Sequence, residues 1–257
     1  MTELLAGRRG LVLGVSGINS IGYHVARSLR DLGAEVTVTC RPARLAGVTA
    51  IATELGVAVH PVDVLDDESL AAAFDALDGR SLDFLVHGVV DVPEGLLARS
   101  LLDVSRDEFG HVMAVAAWSL VAACRHARPL LARSTAPRVV ALTSACSHRM
   151  TPNYHVAGIA KAALESAVLY LAMQLGKDGV LVNAVSASLL ASDGAIRAIG
   201  AQNAAATRAV QARRAATGHA VCYRDVAHCV GFLCSPLAAN LTGEIVTVDG
   251  GFSRAYL

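Results

Sequence analysis

A set of short apolar runs, rich in Val and Leu, recurs from one end of this chain to the other. They are Gly10–Leu13, Glu35–Thr39, Val57–Val62, Leu82–His87, Arg138–Thr143, Val180–Val185 and Glu244–Val248, most of them bounded by Gly, Asp or Pro. A run that is apolar on both faces suits a parallel strand covered by helices on both sides. Helical stretches separate them: Ser20–Leu32 (stopped by Gly33), Ser69–Leu77, Arg106–Leu131, Asn153–Leu175 and Arg224–Leu233. Seven strands with intervening helices predict an α/β fold, a Rossmann-like doubly wound parallel sheet with helices on both faces. The 257 residues contain no low-complexity linker, charge run or internal repeat, so one domain, 1–257, is expected. In such sheets a ligand sits beyond the C-terminal strand ends, and the chemistry should follow the apolar runs directly.

Composition narrows the function classes. With 54% hydrophobic and 17% charged residues the chain can fill a core and is not disordered. Twenty-two basic residues balance 22 acidic ones, which argues against a nucleic-acid partner. Mean hydropathy is high, +0.48. The longest membrane-like stretch, Val156 to Leu175, carries Lys161 and Glu165, so no membrane association is expected. Residues Met1 to Leu13 include Glu3, Arg8 and Arg9 and lack a signal-peptide core, which predicts a cytoplasmic protein with its six cysteines reduced. No metal site is expected, because His219, Cys222, His228 and Cys229 match no common zinc spacing.

The first strand runs into Gly14-Val15-Ser16-Gly17-Ile18-Asn19-Ser20-Ile21-Gly22 and then a helix. Gly14 permits a sharp turn, small Ser16, Gly17 and Ser20 permit close approach, and the helix start near Ser20 and Ile21 offers free N–H groups to a pyrophosphate. The usual G-x-G-x-x-G is absent; the position after the first strand carries the dinucleotide reading. After the second strand comes Arg41-Pro42-Ala43-Arg44. An acidic residue there would bind a ribose 2′-hydroxyl; Arg41 suits a 2′-phosphate, so NADPH is the expected cofactor, with NADH possible. Asp63 and Val64, after the third strand, are placed at the adenine, with turn capping as the plainer role for Asp63. Gly88, after the fourth, joins the cofactor set.

Tyr154 and Lys161 open the longest later helix, seven residues apart, which brings them nearly to one face. A lysine nearby lowers a phenol's pKa and can hold ribose hydroxyls. The tyrosine can then donate to a carbonyl oxygen as hydride arrives.

These residues together resemble the short-chain dehydrogenase/reductases, and within them the bacterial enoyl-acyl-carrier-protein reductases. The resemblance rests on the Gly14 to Gly22 turn, Asp63-Val64, Leu85-Val86-His87, Pro152-Asn153-Tyr154 with Lys161 to Glu165, Val182 to Ala187, and Leu241 to Phe252. It covers nearly the whole chain. Six residues separate Tyr154 from Lys161, where most short-chain reductases have three, and the glycine turn is longer than the common one. The resemblance implies that Tyr154 bonds the thioester carbonyl of a 2-enoyl substrate, that Lys161 holds the nicotinamide ribose, and that Leu190 and Ser192 line the cofactor. It also implies a thioester substrate on acyl-carrier protein or coenzyme A, a homotetramer, and a substrate-covering segment at 191–217.

Departures from that pattern keep other readings open. Ser144 stands where the enoyl branch has a second tyrosine, and a serine there serves carbonyl reduction, so a ketone (3-oxoacyl or polyketide-type) reductase is the alternative. Ser188-Leu189 replaces a Gly-Pro, and Ala191 a basic residue; a dinucleotide sensor without turnover is the third reading. Arg208, Arg213 and Arg214 are offered to an acidic carrier protein, to a coenzyme A phosphate or to solvent.

Overall fold

A computed structural model describes residues 3–255; the expected domain's Met1, Thr2, Tyr256 and Leu257 lie outside the described residues. Seven strands form one sheet: β1 (Arg9–Leu13), β2 (Glu35–Cys40), β3 (Ala58–Pro61), β4 (Phe84–His87), β5 (Arg138–Ser144), β6 (Leu181–Ala187) and β7 (Ile245–Val248). Their order is β3-β2-β1-β4-β5-β6-β7, and every pairing is parallel. The order reverses between β1 and β4, where a doubly wound sheet opens its ligand crevice.

The strands are apolar on both sides because both faces are covered. Helices α1 (Ile21–Asp31), α2 (Leu45–Leu55) and α9 (Tyr223–Leu233) lie on one face with Val12, Val38, Phe84, Val86 and Val140. On the other, α3 (Asp67–Asp75), α5 (Ser119–Leu131) and α6 (His155–Leu175) bury Leu11, Leu85, Val139 and Ala141. The α6 helix is long and apolar enough to cross a membrane by composition, yet it packs on this face through Leu164, Val168 and Leu171.

Several expectations shift. Ser20 is the cap before α1, and Tyr154 precedes α6. The stretch 106–131 is interrupted: α4 (Arg106–Met113) and α5 are joined by a π-helical turn, Ala114–Trp118. Helix α2 was not expected from the sequence, although Val48, Ala52 and Leu55 give it a buried stripe and Gly56 (φ +66) ends it. The covering segment is two helices, α7 (Asp193–Ile199) and α8 (Ala201–Arg214), broken at Gly200.

Candidate active site

The exits of β1 and β4 meet as bare backbone. Gly14 has φ +99, and a Cβ there would lie 2.6 Å from the Gly88 carbonyl oxygen. A Cβ on Gly88 would in turn press to 3.2 Å from Leu13 O. Buried Ser20 holds the turn from within: its hydroxyl donates to Gly17 O at 2.7 Å and accepts from Tyr23 N at 3.3 Å and Ser16 N at 3.4 Å. Ser16 itself is exposed, and Ile21 opens α1. A cradle that any side chain would fill, aimed at a helix N-terminus, fits the diphosphate of a dinucleotide.

Arg41 follows β2 but does not stand free. Its Nη2 donates to Asp91 Oδ1 at 2.7 Å. Asp91, just beyond β4, also receives His111 Nε2 of α4 at 3.1 Å and lies 3.7 Å from Arg197 of α7. Burial opposes ionisation of this carboxyl, but the hydrogen bonds from Arg41 and His111 outweigh it and hold the carboxyl below the usual range. Sequence reasoning passed over Asp91, although it follows a strand end as the switch-point rule requires. Exposed Asp63 caps its own turn, its Oδ1 accepting from Leu65 N at 3.0 Å, and Val64 packs against the core.

Tyr154 enters α6 from Asn153, which adopts φ +55, a conformation asparagine tolerates. Half-buried, it packs in a cluster with Leu96, Leu97, Val112, Val156 and, from α7, Ala198 and Ile199. The short helical turn Ala145–Ser147 presses on α6: a Cβ on Gly158 would lie 2.6 Å from Cys146 O. This brings Ser144 and Cys146 to the start of α6. Ser144 Oγ accepts from Cys146 N at 3.4 Å.

Lys161 is buried and its Nζ donates to Leu142 O at 2.8 Å. Desolvation lowers its pKa to about 8, opposed by Glu165 one turn on, whose carboxylate accepts from Thr143 Oγ1 at 2.7 Å. The expected tuning of the phenol is absent. Burial, then the neighbouring Cys146 thiol, pushes Tyr154 above the ordinary tyrosine value. The ammonium is engaged on the Leu142 carbonyl and is not among the groups that shift the phenol.

Leu190 buries its side chain in the core on the face that carries α1, α2 and α9, and Ser192 caps α7, accepting from Ala195 N at 3.2 Å. The covering segment is tied to the glycine turn: Asp193 N donates to Asn19 O at 3.4 Å, as does the Tyr223 hydroxyl at 3.1 Å. Arg208 is a brace, donating to Leu189 O at 3.0 Å and Val221 O at 3.2 Å, and Arg214 stacks over Phe252. Of the three arginines offered to a carrier protein, Arg213 is the exposed one.

Known proteins share this fold. The family profile described as enoyl-(acyl carrier protein) reductase matches residues 14–253. An NADH-dependent enoyl-[acyl-carrier-protein] reductase FabI of Haemophilus influenzae is 36% identical over 255 residues, 97% of this chain and 95% of that one. A second such enzyme, from Rhizobium meliloti, is 35% identical over 98% of this chain and 94% of that one. The Bacillus cereus enoyl-acyl carrier protein reductase, crystallised with NADP+ and an indole naphthyridinone, superposes with a TM-score of 0.93 at 32% identity, covering 99% of this chain and 100% of that one. This chain is therefore an NAD(P)-binding oxidoreductase fold of the short-chain type and belongs to the enoyl-(acyl carrier protein) reductase family.

Proposed function

We propose that the protein reduces the carbon–carbon double bond of a 2-enoyl thioester, using NADPH. The observation that carries this reading is Tyr154 at the α6 entrance, packed beneath α7 and set seven residues before a buried Lys161. When bound, the dinucleotide supplies a hydride to the β-carbon. Tyr154 donates its hydroxyl hydrogen bond to the thioester oxygen and favours the electron pair moving there, giving an enolate that takes a proton at the α-carbon. The Lys161 ammonium holds the nicotinamide ribose hydroxyls. The Gly14–Gly88 cradle and the α1 N-terminus hold the diphosphate, and Arg41 exchanges Asp91 for the 2′-phosphate. The Haemophilus influenzae and Rhizobium meliloti relatives carry NADH in their names, and the Bacillus cereus enzyme was crystallised with NADP+; Arg41 is the reason for assigning NADPH here.

The substrate is carried on acyl-carrier protein, with α7 and α8 (within 191–217) as its cover and the enzyme in the cytoplasm, feeding fatty acid synthesis. Trp118, Val121, Tyr170 and Met173 form exposed apolar surface on and beside α5 and α6, which supports a homotetramer. Ser144 favours one other reading, reduction of a 3-oxoacyl ketone, because its hydroxyl oxygen caps a turn while its proton stays free to donate. Dinucleotide oxidation offered a 2-enoyl or a 3-oxoacyl thioester separates the two. The expected result is turnover of the enoyl substrate that Tyr154→Phe abolishes and Ser144→Ala keeps within about threefold.

A further inference from the structure

The Asp91 carboxylate is shared by three side chains, each from a different part of the fold. Arg41 Nη2, beyond β2, donates to Oδ1 at 2.7 Å. Arg197 Nη2, on the cover helix α7, stands 3.7 Å from that same oxygen, too far for a hydrogen bond. His111 Nε2, on α4, sits 3.1 Å from Oδ2. His111 and Arg197 each immediately precede residues that pack in the cluster of Tyr154: Val112 on α4, and Ala198 with Ile199 on α7. One carboxylate therefore joins the residue assigned to the 2′-phosphate to the wall of the cluster that holds the phenol.

Two guanidinium groups aimed at one oxygen repel each other, and the nearer one holds the lone pair. When a dinucleotide draws Arg41 away, Arg197 loses both its competitor and that repulsion. The helix that carries Arg197 is fixed at its other end. Ser192 caps α7 there, and Asp193 N donates to Asn19 O of the glycine turn. Behind its last residue stands Gly200 at φ +81, a backbone position that glycine adopts without strain. The Arg197 end is the one that can swing.

We propose that Asp91 is a positioning residue for α7: a bound dinucleotide takes Arg41 from its carboxylate, the carboxylate then engages Arg197, and α7 is drawn in so that Ala198 and Ile199 close the cluster around Tyr154. The cover shuts behind the cofactor, and the enoyl thioester meets a formed site once the dinucleotide is in place. This deepens the reading above and rests on Arg41 meeting the cofactor.

Amide hydrogen exchange across residues 193–199 of the full chain reads the cover without turnover. Partly exposed ion pairs shift equilibria by up to about fivefold. Saturating NADPH should slow exchange there by about threefold to fivefold in the parent, and Arg197→Met and Asp91→Asn should each remove most of that slowing. Arg197→Lys, which keeps the charge, should restore it. In Arg41→Ala, exchange should already be slow before cofactor is added, because the carboxylate is free for Arg197. With a 2-enoyl thioester, Arg197→Met should raise KM by a similar factor and leave kcat within about twofold, and adding Asp91→Asn to it should raise KM no further. Equal slowing by NADPH in the parent and in folded Arg197→Met, or parent-like exchange in cofactor-free Arg41→Ala, overturns the proposal. The NADPH affinity of Arg41→Ala tests the underlying reading separately: an unaltered value would remove Arg41 from the cofactor site while its competition with Arg197 still stands on the cofactor-free exchange.

Discussion

Arg41 at the end of β2 is joined to Asp91 at the end of β4 by a 2.7 Å hydrogen bond that passes over the exit of β1, the strand lying between them in the sheet. The crevice for a dinucleotide lies there, so the pair has to part when the cofactor enters. The pair is partly exposed, and such pairs contribute about 0.2–1 kcal/mol. Asp91→Asn should therefore tighten both NADPH and NADH by up to about fivefold. Arg41→Ala should instead weaken NADPH by about tenfold or more, since charge-assisted bonds to phosphate are lost with it, while NADH, relieved of the same pair, tightens by up to about fivefold. Fluorescence titration of both variants with both cofactors decides it; equal losses for the two cofactors in Arg41→Ala would remove the 2′-phosphate assignment.

Tyr154→Phe should lower kcat by about 10²–10⁴-fold with dinucleotide affinity retained, because the hydroxyl serves the thioester oxygen in the transition state. Single-turnover kinetics with a bound dinucleotide measure this without interference from release steps. A kcat within a few-fold of the parent would exclude the phenol from the chemistry.

Lys161 titrates at about 8, below its ordinary 10.5, with burial as the main cause. As pH rises through about 8 the ammonium is lost, so dinucleotide affinity and kcat/KM should fall. Stability responds in the opposite sense. Between about 8 and 10.5 the unfolded chain holds a proton that the folded one has released, so this group makes the fold more stable as pH rises. Binding titrations and urea melts over the same pH range should diverge, and parallel loss of both would point to general unfolding.

His87 gives the fold an acid limit. Burial, then the Lys161 charge, lowers its pKa from 6.5 to about 3. Above 6.5 both states are neutral at this ring and the native advantage is whole. As pH falls from 6.5 toward 3 the unfolded chain takes up a proton the native ring refuses, and stability declines. At pH 4.5 the loss is about 3 kcal/mol from this group alone. Urea denaturation of the parent and of His87→Leu at pH 7 and 4.5 should show a steeper acid loss in the parent.

Gly14→Ala places a Cβ against the Gly88 carbonyl at a backbone φ of +99. The strain and overpacking together should cost about 2–4 kcal/mol. Thermal melts with and without NADPH should show a lower melting temperature and loss of the ligand-induced rise.

What the sequence determined by itself was the architecture and the addresses within it. Two-faced apolar runs can be satisfied only by a covered parallel sheet, and the switch-point rule then placed Gly14, Arg41, Gly88 and Tyr154 at its open edge. Helix periodicity predicted Tyr154 and Lys161 on one face, but Tyr154 stands before α6 with a non-helical backbone, so spacing along the helix does not fix where its ring lies. Tertiary structure decided the partners, because these come from strand neighbours far apart in the chain: Asp91 for Arg41, Leu142 O for Lys161, Cys146 beside Tyr154, and Ser119 for His87. It also reversed the expected tuning of the phenol, since desolvation is set by packing and spacing along a helix does not report it. Arg208 offers the same lesson. Its charge reads as a surface feature in one dimension, and the fold uses it to tie two backbone carbonyls together.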